Sequence, residues 1–89
     1  MIFEWFEPKR LAVLKERNLD FFDARSLFDG RHLYTVPSPR VTEERWVSVG
    51  EINGRLVAVV WMRRDDAIRI ITMRRARDEE KRKYCALHG

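Results

Sequence analysis

The chain has 89 residues, 45% hydrophobic and 36% charged, with a formal net charge of +4. That apolar content argues against disorder, and the length suits one domain, residues 1–89, with one modest core. The single cysteine, Cys85, excludes an internal disulfide; no segment approaches ~18 consecutive apolar residues, and the start lacks a basic-then-apolar secretion signal, so a soluble cytoplasmic protein without membrane contact is expected.

Ile2 to Phe6 alternates aromatic and other residues and reads as a short strand or as an extended lead-in. Glu7-Pro8 opens a helix, because proline in the first turn forfeits no hydrogen bond. The helix runs to about Arg17, with Leu11, Leu14 and Ala12 facing inward, and Asn18 is a left-handed stop. Asp20 caps a second helix, with Asp23 in a capping-box-like position. Phe21, Ala24, Leu27 and Phe28 form its apolar stripe, a core feature rather than a ligand box. His32 to Val36 has strand character, and Pro37-Ser38-Pro39 makes 37–42 a loop.

Three β-rich runs follow: Arg45–Val49, Leu56–Met62 and Ala67–Ala76. Asn53-Gly54 between the first two is a strong hairpin signal. With Asp65-Asp66 as the second turn, the rows pair Val49/Ala58/Met73, Val47/Val60/Ile71 and Arg45/Met62/Arg69 on one face. The other face carries Gly50/Val57/Arg74, Ser48/Val59/Thr72 and Trp46/Trp61/Ile70. The Val and Ala rows are expected under the helices. The tryptophan pair suits a core under the C-terminal helix, a base-stacking surface or a partner contact. That last helix, 77–87, is set by Asp78-Glu79-Glu80 before Lys81-Arg82-Lys83, matching the helix dipole. The expected fold is α+β: two N-terminal helices, a twisted four-stranded antiparallel sheet and a C-terminal helix.

Charge is unevenly placed. Residues 1–62 hold nine Lys/Arg and nine Asp/Glu, whereas residues 63–83 hold nine against five. A local arginine excess suits a polyanion such as nucleic acid, and equally a solvated, salt-bridged surface. His32 and His88 have no predicted partner, and Cys85 has no histidine in pattern with it.

Several segments carry a resemblance. These are Phe3-Glu4-Trp5 with Lys9, Leu19-Asp20-Phe21-Phe22-Asp23-Ala24, Glu43-Glu44-Arg45-Trp46-Val47 with Gly50, and Arg69-Ile70-Ile71-Thr72-Met73-Arg74-Arg75-Ala76 followed by Glu80 and Tyr84. In this order the chain resembles the BrnT family of type II toxin–antitoxin ribonuclease toxins, which share the RelE-like fold. It departs from the family where Phe6 replaces an acidic residue, Val13 an asparagine, Glu16-Arg17-Asn18 a Lys-His-Gly, and Thr42 a glycine. Arg17 does not replace histidine as an acid or base near neutral pH.

The resemblance implies metal-free, cofactor-free RNA cleavage that inhibits translation. It also implies neutralisation by a BrnA-type ribbon-helix-helix antitoxin, with operator DNA reached only through that complex. Such cleavage needs a base for the 2′-OH, a cation for the phosphate and an acid for the leaving oxygen. Arg45, Arg69 and Arg74 are the candidate phosphate-binding groups, since the guanidinium fork takes two oxygens at once. Glu43 is the candidate base, beside Arg45. Arg63, Arg64, Arg75 and Tyr84 are expected to add RNA contacts, and Tyr84 or Glu80 a hydrogen bond or proton transfer. The bland alternatives are a sheet-edge salt bridge for Glu43 and Arg45 and helix-capping contacts for Arg74 and Arg75. At the level of the whole chain, the alternative is a catalytically weak module kept for antitoxin binding and autoregulation.

Overall fold

The computed structural model describes residues 2–29, 34–38 and 44–88. His32, Glu43 and most of the expected 37–42 loop lie outside them. In chain order the elements are β1 (Ile2–Trp5), α1 (Glu7–Arg17), α2 (Phe21–Ala24) with a 3-10 turn (Arg25–Phe28), and β2 (Tyr34–Pro37). Then come β3 (Trp46–Ile52), β4 (Arg55–Arg64), β5 (Ala67–Arg75) and α3 (Asp78–His88).

The chain is α+β, but the expectation of two N-terminal helices beside a four-stranded antiparallel sheet is overturned. Among the described residues there are three α-helices and a five-stranded mixed sheet in the order β1-β5-β4-β3-β2. The added strand is β1, parallel to β5 from Ile2↔Ala67 to Trp5↔Ile70. A parallel partner has no hairpin linking it to its neighbour, so no local turn announces it. β2 is an edge strand, which is why it tolerates Pro37.

The β3–β4 hairpin has the register expected from its turn, Ile52↔Arg55 through Trp46↔Trp61. Asn53 and Gly54 supply the two positive φ angles, 52° and 78°, that a tight right-twisting hairpin needs. The β4–β5 hairpin also starts as expected, Arg64↔Ala67 to Trp61↔Ile70. It then slips: Val60 pairs with Thr72 rather than Ile71, and Ala58 with Arg74 rather than Met73. Ile71 is the unmatched residue of a β-bulge, and every β5 side chain beyond it changes face.

The N-terminal helices therefore cover the face opposite to the one expected, and among the described residues α3 alone lies on the expected one. Val57, Val59, Trp61, Ile68, Ile70 and Met73 pack under Val13, Phe21, Ala24 and Leu27. This face has the larger side chains and thus more apolar area to remove from water. Trp61 is core: Phe28 meets it edge-on at 5.2 Å, Trp46 stacks at 6.3 Å, and its Nε1–H donates to Ser48 Oγ at 2.8 Å. The expected Val/Ala face instead packs Val47, Val49 and Ala58 with Ala76 and, half-buried, Tyr84 of α3.

α1 starts and stops where expected, with Pro8 in its first turn and Asn18 left-handed at φ 57°. Its buried residue is Val13 and Leu14 is half-buried, whereas Leu11 is 51% exposed and Ala12 exposed. Asp20 caps α2 by accepting from the Phe22 amide at 3.0 Å. The second helix is only one α-turn followed by a 3-10 turn. Phe21, Ala24 and Leu27 recur every three residues, the period at which a 3-10 helix stacks side chains. Arg10 joins the two segments, holding Glu7 (2.7 Å) and Asp20 (3.1 Å).

Phe21→Ala should destabilise the fold by about 3–5 kcal/mol. Leu11→Ala should change it by no more than about 0.5 kcal/mol. Urea unfolding of the two variants checks both, and a large loss at Leu11 would contradict the observed packing of α1.

Candidate functional site

In a regular strand, residues five apart lie on opposite faces. Arg69 and Arg74 are five apart, and the bulge at Ile71 reverses that parity. Both now share the face that carries Val60, Val47 and Ala58. Arg45 immediately precedes β3, so strand alternation puts it on this face beside Met62. The Ser38 amide donates to the Arg45 carbonyl at 2.8 Å, continuing the β2–β3 pairing there.

α3 covers only the Tyr34/Val49/Ala76 end of this face. Next to it lies a cleft of about 350 Å³, floored by Val47, Val60 and Thr72, edged by Ser38 and walled by Lys9, Arg17, Arg74 and Arg77. Among the described residues, four cations line it and no carboxylate does. β1 pairs with β5 only as far as Ile70, and α1 packs on β5. Arg17 Nη1 donates to the Met73 carbonyl at 2.7 Å, which fixes the side chain without neutralising it.

Carboxylates hold Arg69 and Arg74. Arg69 contacts Glu4, its β1 neighbour, at 3.2 Å. Arg74 makes a two-pronged pair with Glu80, at 2.7 and 3.0 Å. Glu80 also accepts from the Arg77 amide at 2.8 Å, as a glutamate in the first turn of a helix does in a capping box. Its carboxyl is held below its ordinary range, first by the Arg74 hydrogen bonds, against burial, and then by Arg77. Glu80 is thus an ionised clamp that orients Arg74 and docks α3. Neither pair is fully buried, the side chains being 18–36% exposed.

The other candidates divide. Arg63 alternates onto the helix-covered face and lines a separate cleft with Thr35, Glu44, Trp46 and Trp61. Arg75 pairs with Val57, whose side chain is buried on that same face. Arg64 is exposed beside the β4–β5 turn, and Tyr84 is half-buried against the α3-side core. Glu43 lies outside the described residues. Lys9, Arg17 and Arg77 are not among the residues expected to contact RNA, yet they line the cleft. Lys9 and Arg17 are eight residues apart, two helical turns, and that spacing was the available sign that they share a side of α1.

Among the described residues, no three His, Cys, Asp or Glu side chains gather as a metal cluster, and no helix is long and apolar enough to cross a membrane. The arrangement is a cationic cleft on an open sheet face, the kind of surface that takes a polyanion. Residues 5–80 match the family described as the ribonuclease toxin BrnT of type II toxin–antitoxin systems. The chain belongs to that family of ribonuclease toxins, and the family implies an RNA target and an antitoxin partner. Among curated proteins, none matches the chain.

Glu80→Gln should loosen α3 and leave Arg74 uncompensated. Because the folded-state carboxyl titrates low, the contribution of Glu80 is present above the unfolded value of about 4.3 and lost as pH falls through the folded one. Thermal melts should therefore show the variant less stable than the parent by about 1–2 kcal/mol at pH 7. The two should converge as the pH falls, and a gap that stays unchanged in strong acid would contradict the clamp.

Proposed function

We propose that this protein is a metal-independent endoribonuclease toxin that acts in the cytoplasm and inhibits translation. A BrnA-type ribbon-helix-helix antitoxin neutralises it and carries the complex to operator DNA. The observation that supports this reading most is the gathering of Arg45, Arg69 and Arg74 on one open face beside the Lys9/Arg17/Arg77 cleft. Guanidinium forks there grip the phosphate and take up charge as the 2′-oxygen attacks. Glu43, two residues before Arg45, is the proposed base. Arg64 extends the basic face toward the β4–β5 turn.

A second reading has its own support. Glu4 and Glu80 already occupy Arg69 and Arg74, and a compensated arginine is a weaker phosphate ligand. On that reading the chain is a catalytically weak module kept for antitoxin binding and autoregulation.

Expression of the protein alone decides between them. The nuclease reading expects growth arrest with transcript loss, relieved by Arg74→Ala, which should lower the cleavage rate by roughly 10²–10³-fold. Unaffected growth, with a ribbon-helix-helix protein still co-purifying, would establish the second reading. Binding of non-cleavable single-stranded RNA should weaken with salt at about −0.7 log units per phosphate contact. Three or four contacts in the cleft thus imply a slope of about −2 to −3, and a flat salt dependence would contradict the cleft as the RNA site.

A further inference from the structure

Phe6 is 62% exposed although it stands at the corner where β1 turns into α1. That corner is well fixed. The Phe6 carbonyl accepts from the amides of Lys9 (2.9 Å) and Arg10 (3.2 Å), and the neighbouring Trp5 indole donates to Glu7 at 2.9 Å. Among the described residues, no other ring packs on Phe6. With Lys9, Arg69, Ile70 and the bulged Ile71 it lines a mostly apolar cleft of about 450 Å³. Lys9 also lines the basic cleft, so the apolar floor and the phosphate-binding cations share a wall.

We propose that this cleft is a base-binding subsite, in which an unpaired nucleobase of the RNA stacks on Phe6 while its phosphate is held at Lys9 and the basic cleft. The inference rests on the RNA-cleaving reading and adds a substrate class to it: single-stranded RNA. Every base has a π-face, so an aromatic platform beside a basic track binds single strands with little regard to sequence. A duplex keeps its bases stacked inside and offers none to such a platform. An apolar anchor from a protein partner would fill the cleft too, but would leave the Lys9 charge at its rim unanswered. A nucleotide answers both.

Two oligonucleotides of equal length and phosphate charge separate the terms: a 2′-O-methyl RNA hexamer, which cannot be cut through its 2′-oxygen, and its abasic counterpart. The full chain should bind the base-bearing hexamer on the order of ten-fold more tightly. Phe6→Ala should abolish that preference and leave the salt-dependent affinity for the abasic strand. Phe6→Trp should keep the preference, and circular dichroism establishes that both variants fold. A preference that survives in Phe6→Ala overturns the subsite. So does a Phe6→Ala variant that weakens only the grip on a co-purified protein partner, which would assign the cleft to that partner. If the parent binds both hexamers equally, the subsite falls while the RNA reading stands. If it binds neither, both fall.

Discussion

One unmatched residue, Ile71, decides what this sheet presents on each side. β4 and β5 pair regularly from their turn to Trp61↔Ile70, and resume at Val60↔Thr72. The slip returns Met73 to the helix-covered core and turns Arg74 toward the open face. Without it, Met73 would face the clefts, Thr72 would take its place in the core opposite Val59, and Arg74 would stand opposite Val57 on the helix-covered side, where Arg75 now is. The bulge thus reconciles a continuous core with a strand that must also carry arginines, and the same distortion exposes Ile71 beside Phe6.

The two faces do different work because their side chains differ in size. The face with Trp61, Ile68, Ile70 and Met73 takes the N-terminal helices and supplies most of the core. The face with Val47, Val49 and Ala58 is shallower, and α3, which fully buries none of its own residues, covers only one end of it. What secures α3 is polar as much as apolar. Glu80 caps its own helix through the Arg77 amide and clamps Arg74 across to the sheet. Stability and the candidate phosphate site therefore share Arg74, so a ligand that competes for its fork also bears on how α3 is held.

Local signals carried the sequence reading where the chemistry is local. Asn53-Gly54 fixed the β3–β4 register, Pro8 and Asn18 bounded α1, and Asp20 marked the next helix, because each acts through its own backbone angles or an adjacent amide. The failures are long-range. Ile70-Ile71-Thr72 contains no glycine or charge to betray a bulge, and reads as regular strand. β1 finds its parallel partner 65 residues away in Ala67–Ile70, a pairing that no turn encodes. Which face the helices cover depended on the bulge, so that error followed from the first. Arg45, Arg69 and Arg74 were legible as candidate phosphate ligands by residue type. The meeting of Arg74 with Lys9, Arg17 and Arg77 in one cleft was not, because it needs β5's altered register and the docking of α1.

What matters most is which arginines meet the RNA. The guanidinium Nε–H signals in a ¹H–¹⁵N NMR titration with a non-cleavable single-stranded RNA report this residue by residue. Arg45, Arg69 and Arg74 should shift together, with Arg63 and Arg75, on the opposite face, unmoved. Shifts confined to Arg63 and Arg75 would place the RNA on the helix-covered side and contradict the account.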